Sequence, residues 1–182
     1  MSPARGLPRE AGRTGNLLGA AALAISGAIE GALSAERGRS EAANAALAIM
    51  LQWPPHSIGH LAQVLRRSHS ATVRLIEELE AEKLVAKNSG ADRRAVVATL
   101  TAEGRREARR LIAARAAVLD NLTEQLTAEE RRDLTRLLEK ILPLLTPDRN
   151  ACDHICRLCN LATCPQDRCP VELAVSRPDP PI

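Results

Sequence analysis

The 182-residue chain has no phenylalanine and no tyrosine, and Trp53 is its only aromatic residue. Any core must therefore be aliphatic. The same absence counts against single-stranded nucleic acid as a partner, because such strands are held by stacking bases on aromatic rings. Cysteine is missing from residues 1–151, and then five occur between Cys152 and Cys169. Charge of one sign is scarce too: the net charge is +3, which says little unless it is concentrated. Catalytic patterns are absent. There is no nucleotide-binding glycine loop, no HExxH, and no pair of acids at a convincing spacing, so the chain is not expected to be an enzyme. His60 stands alone and reads as a partly buried helix residue.

Long hydrophobic runs are also lacking. The most apolar stretch, 15–29, follows arginines and loosely imitates a secretory leader. It reads as too short and too rich in alanine to span a membrane. Leu18, Ala22, Ile25, Ile29 and Leu33 instead fall at helical spacing, as in an amphipathic packing helix. No membrane partner is expected and the cytoplasm is the default location. In that compartment clustered cysteines more often mean metal or redox chemistry than disulfides.

What is present favours helix: alanine, leucine and arginine dominate. The length suits one domain with a small appendix. Residues 1–13 read as a disordered arm, 14–146 as the domain, and 147–182 as a cysteine-rich tail. Helices are expected at about 15–35 and 41–52. Ser57 then caps a short helix with Ile58, Leu61, Ala62 and Leu65 on one face. After a brief break Ser68 caps another, with Val73, Ile76 and Leu79 as its apolar stripe. Two short helices with a tight turn and two stripes to bury describe a helix-turn-helix. Segments 85–87 and 96–100 can pair as a hairpin across the polar "NSGADRR". Two long helices follow, capped by Thr101 and by the capping box of Thr127 and Glu130. The expected fold is mainly α: a winged helix-turn-helix with a small hairpin wing and flanking dimerisation helices.

With Val73, Ile76 and Leu79 inward, the opposite face carries Ser70, Arg74, Glu77 and Glu78. Ser70 and Arg74 lie in the half of the helix that reaches base edges, and Arg74 can bond a guanine bidentately. Ser68 and His69 sit at the helix start, where free N–H groups favour phosphate. The plainer alternative is a solvated helical hairpin in which Arg74 only pairs with Glu78. Against it, Arg93 and Arg94 stand at the wing tip, and residues 57–110 hold more Lys and Arg than Asp and Glu.

The segment "DRRAVVATLTAEG" resembles the wing signature of the MarR family of winged-helix regulators. Its positions are Asp92, Arg94, Leu100, Thr101 and Gly104. "SHSATVRLIEELEAEKLV" is similar to that family's recognition helix and its exit into the wing, and the resemblance extends over about 16–145. It implies a homodimer on a palindromic double-stranded operator, with the first and last two helices packed on the partner's. It implies further that Arg94 enters the minor groove, that Asp92 orients a nearby arginine, and that Arg93 touches the backbone. Such proteins mostly repress transcription and leave DNA when a small molecule or oxidant shifts the dimer.

The tail is no part of that family plan. Its spacing is Cys-x3-Cys-x2-Cys-x4-Cys-x4-Cys, with prolines after Cys164 and Cys169. Thiolates suit Zn²⁺ or an iron–sulfur cluster, and the match to either pattern is partial. The preferred ligands are Cys156, Cys159, Cys164 and Cys169, with Cys152 as spare. His154 could replace one of them at a zinc. Metal-free thiols, switching or inert, are the remaining alternative. A centre here would act by reorganising the tail and moving the dimer helices. A reading from another class is a zinc-stabilised interaction scaffold that does not bind DNA.

Overall fold

The structure, a computed structural model, describes residues 12–34, 38–53, 56–89 and 96–176. In chain order the elements are α1 (Gly12–Ser34), α2 (Glu41–Gln52), β1 (His56–Ser57), α3 (Ile58–Val64), α4 (His69–Ala81), β2 (Val85–Ser89), β3 (Val96–Leu100), α5 (Ala102–Thr123) and α6 (Ala128–Ile141). A 3₁₀ turn (Leu142–Leu145) leads to α7 (Arg149–Cys156), a second 3₁₀ turn (Gln166–Arg168) and α8 (Pro170–Ser176). This is the expected mainly helical winged helix-turn-helix.

Side-chain caps set most helix starts. Ser40, Ser57, Ser68, Thr101, Thr127 and Asp148 each accept from the backbone N–H three residues on. A cap of this kind contributes about 1 kcal/mol. The Thr127–Glu130 capping box forms in both directions. α2 is buried continuously from Ala43 to Met50, which makes it the central helix. Around it Leu47, Leu61, Ile76, Leu79 and Leu84 are fully buried, in a core without Phe or Tyr. Each such side chain contributes about 1.5–3 kcal/mol by leaving water.

α3 and α4 form the helix-turn-helix, with Arg66 at φ 52° in the turn. The inward face of α4 differs from the expected one. Thr72, Leu75, Ile76 and Leu79 are buried, while Val73 is only half-buried. Thr72 can turn inward because its hydroxyl donates to Ser68 O at 3.1 Å, leaving no unpaired polar group.

The hairpin pairs in antiparallel register from Val85↔Leu100 to Ser89↔Val96. A third strand, β1, lies on the other side of β3 through His56↔Ala98 and Ser57↔Val97. Two residues are too few to show alternation in sequence. The wing base is locked by Thr101, whose Oγ1 donates to Lys83 O at 2.7 Å and Leu84 O at 3.2 Å. Gly104 is required here: a Cβ would stand 1.9 Å from Leu84 O.

α1 begins at Gly12, so Gly12 and Arg13 belong to the helix and not to the arm; the rest of the arm lies outside the described residues. With 23 residues and a mean hydropathy of 1.6, α1 is long and apolar enough to cross a membrane by length and composition, longer than the 15–29 run suggested. In the fold it lies along α5 and α2 with Leu33 buried. The tail is also folded: α7 packs on α3, and α8 on α7 and the first 3₁₀ turn.

Candidate nucleic-acid interface and cysteine cavity

The outward face of α4 is assembled as its spacing implied. Ser68, His69, Ser70, Arg74, Glu77 and Glu78 are all exposed. Ser68 Oγ accepts from Ala71 N and lies 3.2 Å from Ser70 Oγ, so the two hydroxyls sit together at the helix start. Arg74 makes no ion pair with Glu78; its guanidinium has no protein partner among the described residues. Asp92, Arg93 and Arg94 lie outside the described residues.

Two ion-pair networks aim this face, and neither shows in the sequence pattern. Lys87 on β2 reaches back to α4, to Glu80 at 2.9 Å and Glu77 at 3.7 Å. The contact holds the Glu80 carboxyl below its usual range and the Lys87 ammonium above its own. It ties the base of the wing to the recognition helix. Deeper in the body, Arg39 joins two helices. It bonds Glu107 of α5 at 2.7 and 2.9 Å, and Glu82 at the end of α4 at 3.2 Å. Glu107 is 1% exposed, so this is a buried pair. Nothing in one dimension places Arg39, between two helices, next to residues 43 and 68 positions away.

The second site is the tail. All five cysteines are free thiols and line one cavity of about 30 Å³, together with Trp53, Leu161, Gln166, Asp153 and Glu172. Cys152 donates to Glu172 Oε2 at 3.5 Å, and Glu172 forms a two-pronged pair with Arg149 at 2.7 and 2.8 Å. Burial and the Glu172 carboxylate push the Cys152 thiol up to about 12. The neighbouring thiols of Cys156 and Cys159 shift each other in opposite directions: Cys156 is raised and Cys159 lowered, and Arg115 and Arg157 also favour the Cys159 thiolate. Burial raises Cys164, which bonds Cys169. Among the described residues, no group of three or more His, Cys, Asp or Glu side chains is arranged to hold a metal ion.

The cavity sits on the winged-helix body. Gln52, the last residue of α2, donates to Cys159 O, and its Oε1 accepts from Leu161 N at 2.8 Å. His154 faces away from the cysteines: its Nδ1 bonds Val64 O, at the end of α3, at 2.8 Å. Burial holds its imidazole below the usual range. Arg157 pairs with Glu41, and Leu158 packs on the body core. A cavity of about 210 Å³ lined by Ile49, Trp53, His60, Val64 and Arg149 runs along the same seam.

No family model and no curated protein matches the chain. Solved structures do. The MarR-family protein Rv2887 of Mycobacterium tuberculosis, solved with p-aminosalicylic acid, is 30% identical with a TM-score of 0.55, over 70% of this chain and 96% of that one. Rv1404 of the same organism is 23% identical with a TM-score of 0.65, over 76% and 96%. Wild-type MarR of E. coli is 24% identical with a TM-score of 0.60, over 74% and 100%. With 30% identity carried across nearly all of Rv2887, on a fold that exposes Arg74 beside a β-hairpin wing, the chain belongs to the MarR family of DNA-binding, winged helix-turn-helix transcriptional regulators.

Proposed function

We propose that the protein works as a homodimer that binds a palindromic operator, represses transcription from it, and releases it on a chemical signal. The observation that carries the reading is Arg74, exposed and without a partner among the described residues, one turn from Ser70 on the open face of α4. An exposed guanidinium held there is set to bond a base edge or phosphate. The exposed start of α4, at Ser68 and His69, would take a phosphate. The wing arginines Arg93 and Arg94, with Asp92, would engage the adjoining minor groove.

A second copy of this chain is the partner the exposed leucines call for. α6 has no buried residue, and Leu134, Leu137 and Leu138 are 38–47% exposed along one side of it. Leu17, Leu18 and Leu23 of α1 are exposed as well. A face of this size on helices flanking the body is covered by association. The signal would be a small aromatic acid, of the kind bound by Rv2887, or a change in metal or redox state at the C-terminal cysteines. The protein would act in the cytoplasm.

The test is affinity for operator DNA at fixed salt. Arg74→Ala should weaken specific binding about tenfold or more, equivalent to about 1–3 kcal/mol, with the melting temperature unchanged. A variant that binds like the parent, or a parent that selects no duplex sequence, would leave the non-DNA-binding scaffold as the better account.

A further inference from the structure

The thiol cavity carries more than a general sensitivity. Its volume of about 30 Å³ exceeds the roughly 10–15 Å³ that one water needs, and leaves room for one ion. Cys152 is already engaged, bonded to Glu172 and lying 3.7 Å from Arg149 Nη1. Four thiols remain on its lining: Cys156, Cys159, Cys164 and Cys169. Four thiols around one small space supply the ligands of a tetrahedral site once an ion draws them together. Four thiolates on a divalent ion leave a net negative charge, and Arg115 and Arg157 face it.

We infer that Cys156, Cys159, Cys164 and Cys169 bind one thiophilic divalent ion of the zinc class, and that the loaded module holds α3 in place. Binding balances without an oxidant: four S–H bonds are lost, four metal–sulfur bonds form, and the protons go to solvent.

The link to α3 is built into the ligand spacing. His154, Arg157 and Leu158 alternate with Cys156 and Cys159 along the chain, and they are the residues that grip the body: His154 on Val64 O, Arg157 on Glu41, Leu158 on the core. Gln52 holds the turn between Cys159 and Leu161. Fixing the thiols therefore fixes the bonds to the ends of α2 and α3, and α3 sets α4. The module's own core cannot do this alone. Its buried members are Ala151, Cys152, Cys169 and Val171, and a cluster so small needs a staple. The metal site stands independently of the DNA-binding reading; only the consequence for the operator rests on it.

The experiment starts with the full chain purified under reducing, anaerobic conditions. Metal analysis should find about one zinc per chain, and cobalt replacing it should give thiolate-to-metal charge-transfer absorption. Cys156→Ser/Cys159→Ser should hold less than about a tenth of that metal, whereas Cys152→Ser should keep it. If the double variant does not fold by circular dichroism, cobalt titration of the reduced parent decides alone. A parent that takes up neither zinc nor cobalt overturns the site. Iron with acid-labile sulfide overturns the single-ion assignment, and loss of metal in Cys152→Ser overturns the ligand set. For the link, amide exchange of residues 58–64 is read without DNA, with metal loaded and chelated. Faster exchange after chelation supports the clamp on α3, and unchanged exchange sinks it. Neither measurement involves Arg74, so failure here and failure of operator binding are told apart.

Discussion

The winged-helix body and the cysteine module solve the problem of staying folded in opposite ways. The body buries an aliphatic cluster from α2, α3, α4, α5 and the sheet, and contains no cysteine. Among the described residues it buries three polar side chains: Thr72, bonded to Ser68 O, Glu107, paired with Arg39, and Asn44, whose Oδ1 accepts no hydrogen bond. The module has four buried residues, Ala151, Cys152, Cys169 and Val171, and is held to the body by Gln52, His154 and Arg157. A body with this core is stable by burial; the module is stable only by attachment and by whatever its thiols bind. Elements with few buried contacts open at low cost, so local opening reaches the module before the body.

The contrast can be broken from the body side first. Arg39→Ala strands the buried Glu107 carboxylate and should cost about 3–5 kcal/mol in urea unfolding; a loss under 1 kcal/mol would mean the pair does not organise the body. Gly104→Ala drives a methyl into Leu84 O and should cost about 1–3 kcal/mol, read as a lower melting temperature. An unchanged melting temperature would show that the wing base has slack. Gln52→Ala sharpens the difference instead. It removes two bonds to the module and should cost about 1–2 kcal/mol of its docking. Amide exchange should quicken in 149–161 and stay constant in α2. Equal quickening in both would make body and module one cooperative unit.

The smallest effect concerns pH at α6. The Thr127 backbone and hydroxyl hold the Glu130 carboxyl below its ordinary 4.5. A depressed acid stabilises the folded state above its unfolded pKa, and that contribution fades as pH falls through 4.5 and below. Glu130→Gln should flatten this part of the stability–pH curve while leaving the module's amide exchange as it was. A curve with the parent's slope would show the capping box to be idle.

Much of the body was legible because its signals are local. Ser57, Ser68, Thr101 and Thr127 mark helix starts by a side chain bonding three residues ahead, and α2 ends where Pro54 and Pro55 forbid more helix. Gly104 was readable as part of a motif, although its reason, the Leu84 carbonyl, is a tertiary contact. The inward face of α4 was misplaced because apolar residues were counted and Thr72 is not one of them. β1 gave no signal, since a two-residue strand exists only through β3. In the tail the cysteines were visible, but their partners were not. Cys152 is spoken for by Glu172, twenty positions on, and His154 serves Val64 rather than a metal.

By itself the sequence determined the helix starts, the order of elements, the aliphatic character of the core and the gathering of every thiol near one end. These follow from periodicity, capping and composition, which act over a few residues. Only the tertiary structure decided that the cysteine run is a folded module seated on the ends of α2 and α3, that its thiols face one space, and that Arg39 ties the recognition helix to α5. Those depend on contacts between residues as much as 116 positions apart, Arg157 with Glu41 being the widest. Closing such distances is entropically costly, so they form only once the packed core has brought their ends together.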